Sequence, residues 1–257
     1  MHLLFKDTPI HYSTAGSGDA VILLHGFLES RDIWEPFITE FSEYGQVVTI
    51  DLPGHGQSGC IAEVHSMELM AEAVNAVLDK LQLQKCDFIG HSMGGYVILA
   101  FLENYPAKVG DIMLLNSHPQ EDSEEKKEVR TRSIEVVKKN KKAYISMAIS
   151  NLLTPEDDKK FAPEVQELKE KAYKFPTAGI TAALQGMRIR KDRTSLLRNY
   201  DGTKLIVAGK EDPLMDPGSI KDIAKDCNCT FFVVPGGHLS YLESEEEFRK
   251  LCISSKK

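Results

Sequence analysis

The sequence predicts an α/β protein with a mostly parallel, eight-stranded sheet and helices on both faces, and three observations predict it. Short β-rich runs alternate with longer segments of helical period. Several runs are apolar without interruption, as strands covered on both faces must be. The alternation then breaks once, over residues 118–199, where helical pattern and charge continue without a convincing strand. That block reads as an insertion between the sixth and seventh strands of one sheet, with residues 1–117 and 200–257 forming the core.

Taken in order, residues 3–5 and 10–13 are two short opening strands around a turn at 6–9. After the turn Gly16-Ser17-Gly18-Asp19, the unbroken apolar run Ala20–Leu24 is a buried strand. Residues 31–44 carry Ile33, Trp34, Phe37, Ile38 and Phe41 at helical spacing, so the single tryptophan suits core packing. Gln46–Ile50 is the next strand. Residues 66–83 form a helix with Ser66 as N-cap and Leu69, Ala73, Val74, Val77, Leu78 and Leu81 on one face. Residues 86–89 are a strand, Met93–Asn104 a helix ending before Pro106, and Val109–Leu115 another strand.

Inside the insertion, residues 121–132 are nearly all polar and read as a solvated linker or exposed helix. Pro155, Pro163 and Pro176 punctuate short helices. The basic run 138–142 is a solvated face, and residues 145–153, the most apolar stretch, are the insertion's inward surface. The α/β pattern resumes with a strand at 205–208, a helix at 218–226 capped by Asp216, the strand Thr230–Val234 and a last helix at 245–253. Met67, Met70, Met147 and Met187 suit irregular core gaps better than a ligand pocket, with Met93 the exception.

Composition narrows the function. Of 257 residues, 42% are hydrophobic and 27% charged, enough for one sizeable core. The net charge of -7, spread in mixed runs, argues against a general nucleic-acid binder, which needs a basic face. Residues 1–7 lack the pattern of a secretory leader, and no run approaches the roughly 20 apolar residues of a membrane span. Five cysteines without framework spacing suggest reduced thiols in a cytoplasmic protein; Cys227-Asn228-Cys229 is too tight for a zinc knuckle. The partner expected is a small molecule, with no metal or organic cofactor.

The chemistry centres on Gly90-His91-Ser92-Met93-Gly94, a G-x-S-x-G element between an apolar strand and a helix. A sharp strand-to-helix turn lifts Ser92 above the sheet, and the flanking glycines permit its close packing. A serine hydroxyl needs a base. Among eight histidines, His238 stands in Pro235-Gly236-Gly237-His238, directly after the last strand. Ends of parallel strands meet on one edge, so His238 reaches the same edge as Ser92. His91, adjacent to Ser92, points away across the turn. The base needs an orienting carboxylate, and the next-to-last strand ends in Gly209-Lys210-Glu211-Asp212. Asp212 is the candidate; the longer Glu211, one position earlier, more naturally faces solvent. The second oxyanion donor should come from His25-Gly26-Phe27-Leu28, so that the backbone N–H of Phe27 pairs with that of Met93.

With these residues in place, the chain resembles the α/β-hydrolase fold family over nearly its whole length. The resemblance is carried by His25-Gly26-Phe27, Asp51-Leu52-Pro53-Gly54-His55-Gly56-Gln57-Ser58, Gly90-His91-Ser92-Met93-Gly94-Gly95, Gly209-x-x-Asp212 and Gly237-His238 followed by Leu242-Glu243. It implies structural roles for Asp51 and Ser58, and a helical cap or lid over the site at residues 118–199. It also implies cleavage of a small-molecule carboxylic ester through Ser92, His238 and Asp212. A serine nucleophile sets the chain apart from haloalkane dehalogenases and epoxide hydrolases. Branches with similar triads include C–C bond hydrolases, cofactor-free perhydrolases and a menaquinone-pathway lyase. A non-catalytic receptor or scaffold on this fold is the rival of another class, and the complete triad counts against it.

Overall fold

The computed structural model describes residues 1–254. Eight strands form one sheet: β1 (His2–Phe5), β2 (Thr8–Ala15), β3 (Ala20–Leu24), β4 (Gln46–Ile50), β5 (Cys86–His91), β6 (Val109–Leu115), β7 (Lys204–Gly209) and β8 (Thr230–Val234). Their spatial order is β1-β2-β4-β3-β5-β6-β7-β8. β1 and β2 pair antiparallel and β2 joins β4 antiparallel; every later pairing is parallel. All five residues of β3 are buried, which is why that run carries no polar alternation. The register sets Leu24 beside Gly90, His91 beside Leu115, and Gly209 beside Val234. The strands therefore finish together on one edge.

Helices α1 (Glu35–Phe41), α2 (Met67–Lys80) and α3 (Met93–Asn104) cover the first half of the sheet, and α2 packs on α3. Ser66 caps α2 by accepting the Leu69 N–H. The predicted helix over 31–44 is instead a 3-10 turn, Arg31–Trp34, running into α1, which ends at Phe41. Pro36 fits the first turn of α1, where its missing N–H leaves no intrahelical bond unmade. Trp34 is fully buried and packs on Phe37, Tyr241 and Phe248.

Between β6 and β7 the chain is helical: α4 (Glu124–Lys139), α5 (Lys141–Ser150), α6 (Pro155–Lys160), α7 (Ala162–Tyr173), α8 (Thr177–Arg188) and α9 (Thr194–Arg198). α10 (Pro217–Asp226), α11 (Ser240–Glu243) and α12 (Glu245–Ser254) complete the fold. Asp216 caps α10 as expected. Residues 121–132 are a largely exposed stretch entering α4, as expected, with one exception at Asp122. The Asp122 carboxylate is buried, held by Arg130 and, at 2.6 Å, by Arg190 Nη1. A polar pattern does not separate a hydrated charge from a buried, paired one. Among the described residues no helix is long and apolar enough to cross a membrane.

One buried charged group ties three loops of the strand-end edge together. The His91 ring meets an acceptor on each side: Glu29 Oε2 at 2.8 Å from Nδ1 and the His238 carbonyl at 2.8 Å from Nε2. Both ring nitrogens must therefore donate, which requires the imidazolium. Glu29 also accepts the Gly26 N–H at 2.5 Å and the Tyr241 hydroxyl at 3.1 Å. Burial disfavours both charges. For His91, the Glu29 charge and hydrogen bond and the His238 carbonyl outweigh it and raise the pKa above 6.5. For Glu29, His91 and the Gly26 N–H outweigh it and lower the pKa below 4.5.

This sets a pH window. The His91 contribution to stability is complete below 6.5 and is lost as pH rises through the raised folded value. The Glu29 contribution is complete above 4.5 and is lost as pH falls through the lowered folded value. Glu29→Gln is expected to lower the unfolding free energy near pH 6 by about 1–3 kcal/mol, and to flatten the alkaline decline of the parent protein. Urea melts across pH measure both effects; parallel curves for the two proteins would overturn the assignment.

Candidate active site

Ser92 sits between β5 and α3 with φ 49° and ψ -112°, a left-handed conformation that costs a serine energy. The surroundings impose it. The Ser92 N–H donates to the Leu115 carbonyl at 2.9 Å, and the Ser92 carbonyl accepts the Ser117 hydroxyl at 2.8 Å and the Gly95 N–H at 3.0 Å. A side chain at Gly94 would collide with the Leu24 backbone, so α3 approaches β3 only because that position is glycine.

The structure brings Ser92, His238 and Asp212 together. Ser92 Oγ lies 2.9 Å from His238 Nε2, and His238 Nδ1 lies 2.7 Å from Asp212 Oδ2. Asp212 and His238 are buried, while Ser92 is partly open. Burial pushes the Asp212 carboxyl up, but His238, Asn116 and the Leu214 N–H outweigh that and hold it below the ordinary carboxylate value. Asp212 Oδ1 accepts the Leu214 N–H at 2.8 Å and the Met215 N–H at 3.2 Å. As an ionised acceptor it orients the imidazole with Nδ1–H toward itself and leaves Nε2 able to accept from Ser92. Glu211 is exposed and accepts the Gly236 N–H at 3.1 Å.

Three positioning residues were not found from sequence. Asn116, just past β6, donates Nδ2–H to Asp212 Oδ2 at 2.9 Å and to the Gly237 carbonyl at 3.2 Å. Its φ of 46° is one that asparagine tolerates, and an asparagine directly after a strand was the only signal the sequence offered. Glu29 and His91 carried none, because their pairing crosses 62 positions. Glu243, in the quoted Leu242-Glu243 pair, clamps the loop on either side of His238 by accepting the N–H groups of Gly237 and Leu239, each at 2.8 Å.

The other histidines are accounted for. His25 accepts the Leu52 N–H at Nε2, 2.9 Å, and donates from Nδ1 to the Gly26 carbonyl at 2.7 Å. His55, His65 and His118 are buried, and His2 stacks on His11. Asp51 takes the Arg31 and Gln57 N–H groups, and its carbonyl accepts the Ser58 hydroxyl at 2.6 Å. Phe27 lines the cavity beside Ser92, and Met93 opens α3 directly after Ser92. No group of three or more His, Cys, Asp or Glu among the described residues is arranged to hold a metal ion.

Ser92 and His238 border a cavity of about 330 Å³ whose wall includes Phe27, Leu152, Leu184 and Met215. Residues 145–153 supply Met147, Ala148, Asn151 and Leu152 to it, as their apolar character suggested. The methionines divide otherwise than expected: Met147 and Met187 line the cavity together with Met215, whereas Met93 is fully buried in the core with Met67 and Met70. The His238 N–H donates to the Leu152 carbonyl at 2.9 Å, so the helical insertion also holds the histidine loop.

Comparison with known proteins places this geometry in a family. The sequence model of the family described as alpha/beta hydrolase fold matches residues 19–245. A thermophilic esterase from Thermogutta terrifontis, solved with malate bound, is 29% identical, with a TM-score of 0.91 over 96% of this chain and 92% of its own. An enol-lactonase from Burkholderia xenovorans LB400 is 17% identical with a TM-score of 0.91, covering 99% of this chain and 98% of its own, and shows the fold alone. A 2-hydroxy-6-oxononadienedioate/2-hydroxy-6-oxononatrienedioate hydrolase from Escherichia coli is 36% identical over 116 residues, which span 43% of this chain and 40% of that enzyme. With an unbroken family match over most of its length and an eight-stranded sheet of the matching kind, the chain belongs to the α/β-hydrolase fold family.

Proposed function

We propose that this hydrolase cleaves a small-molecule carboxylic ester through a serine nucleophile, with Ser92, His238 and Asp212 as its triad. One observation carries the reading: a hydrogen-bonded chain from a buried carboxylate through an imidazole to a strained, accessible hydroxyl at the cavity floor. The esterase from Thermogutta terrifontis, similar over nearly the whole chain, supports ester chemistry.

In the proposed mechanism, Ser92 Oγ attacks the ester carbonyl while His238 Nε2 takes its proton. The N–H groups of Phe27 and Met93 hold the oxyanion, and the N-terminus of α3 behind Met93 adds its positive dipole end. His238 then returns the proton to the leaving alkoxide and releases the alcohol. Water enters, His238 removes its proton, and the hydroxide attacks the acyl-enzyme. Collapse frees the acid and restores Ser92. Asp212 stays ionised and stabilises the imidazolium. The helical insertion acts as the cap that shapes the acyl and alcohol pockets and excludes bulk water.

Carbon–carbon bond hydrolysis is the second reading, favoured by the partial match to the Escherichia coli hydrolase. It predicts poor turnover of simple esters and good turnover of one dicarbonyl compound.

Ser92→Ala is expected to lower kcat on para-nitrophenyl esters by about 10⁴-fold or more with an unchanged thermal midpoint; a folded variant that keeps its activity would reject the nucleophile. Asp212→Asn, which presents an amide to the imidazole and favours the wrong tautomer, is expected to lower kcat by about 10⁴-fold. A fluorophosphonate should label the parent protein at Ser92 and leave Ser92→Ala unlabelled, as mass spectrometry of the intact chains will read.

A further inference from the structure

The cavity wall opposite the core is not uniformly apolar. α4 contributes Lys126, Val129, Arg130 and Ser133 to it, spaced so that one helix face turns toward Ser92 and His238. Cations in an otherwise largely apolar cavity need a partner. Arg130 uses Nε and Nη2 on Asp122, leaving Nη1 without a hydrogen bond among the described residues. Asp122 is shared: it also takes Arg190, whose guanidinium lies 4.1 Å from the Tyr96 ring centroid, and Tyr96 in turn lines the cavity. Lys126 makes no salt bridge among the described residues. Three cations thus stand against one carboxylate. Of the acids around this wall, Glu121 and Glu124 pair with Lys127, Glu29 with His91 and Asp212 with His238, while Glu125 and Glu128 are exposed and absent from the cavity lining.

His118, edge-on to the Tyr96 ring, reports the excess. Burial first, and then the charges of Arg190 and Lys126, push its pKa down to about 3. Lys126 lines the same cavity as Ser92 and His238, so its charge borders the space in which they stand.

We propose that the substrate carries a second, anionic group, a carboxylate, which lies between Lys126 and the free edge of Arg130 while its ester carbonyl faces Ser92. The ester part of this inference rests on the serine-hydrolase reading; the carboxylate subsite does not. Arg130 is half-buried and Lys126 exposed, so a carboxylate gains more from the Arg130 edge than it would in water, with Lys126 adding a more solvated charge. The substrates are then half-esters of dicarboxylic acids, or esters of comparable length with one free acid, rather than neutral fatty esters.

The test compares mono-para-nitrophenyl adipate with para-nitrophenyl hexanoate, which share an acyl length and differ in the terminal carboxylate. The parent protein should show a higher kcat/KM for the adipate ester, and added salt should erode that preference. Lys126→Gln should reduce the adipate-to-hexanoate ratio about tenfold, as expected for loss of one charged hydrogen bond at a partly open position. Lys126→Glu should reduce it further. Lys126 makes no hydrogen bond or salt bridge to Asp122, so these variants leave the Arg130–Asp122 and Arg190–Asp122 pairs intact. Calorimetric titration with adipate alone gives a readout independent of turnover: the parent binds, and Lys126→Gln binds about tenfold more weakly. A parent preference for the hexanoate ester, an unchanged ratio in Lys126→Gln, or equal adipate affinity in both proteins would each overturn the subsite. If neither ester is turned over while adipate still binds in a Lys126-dependent way, the ester reading fails and the subsite stands.

Discussion

Everything at the site depends on the parallel register of the central strands. Because β3, β5, β6, β7 and β8 run the same way and finish level, five loops that are distant along the chain open onto one edge. The first carries Phe27, the second Ser92, the third Asn116, the fourth Asp212 and the fifth His238. A sheet with one of these strands reversed would deliver its loop to the opposite end, and no side-chain adjustment would compensate.

Register brings the loops near one another, and buried polar bonds convert nearness into geometry. The His91 imidazolium spans Glu29 and the His238 carbonyl, joining the first, second and fifth loops. Asn116 joins the third loop to the fourth and fifth through Asp212 and the Gly237 carbonyl. The charges in these bridges are costly to bury alone, and each is neutralised by a partner whose position is then defined. A strained Ser92 can persist in such a frame because its own backbone groups are bonded to Leu115, Ser117 and Gly95.

The helical insertion adds a second polarity to the molecule. Its inner side supplies apolar residues such as Leu152 and Leu184, but α4 turns Lys126 and Arg130 to the same cavity. The Asp122 carboxylate, buried between Arg130 and Arg190, stiffens that wall without neutralising it. The same segment thus serves packing and electrostatics. Its composition alone read as a hydrated surface.

The sequence by itself determined the sheet, since short β-rich runs such as the unbroken Ala20–Leu24 alternate with segments of helical period, and it determined Ser92, because Gly-x-Ser-x-Gly between a strand and a helix is a local geometric instruction. His238 and Asp212 were legible for a related reason: strand ends in a parallel sheet share an edge, so position after a strand predicts meeting in space. What only the tertiary structure decided are the roles that depend on who buries whom. His91 beside Ser92, Glu29, Asn116 and the charged face of α4 look ordinary in one dimension. The ionisation and purpose of a buried charge are set by neighbours far away in the chain, and that information exists only once the polymer has closed on itself.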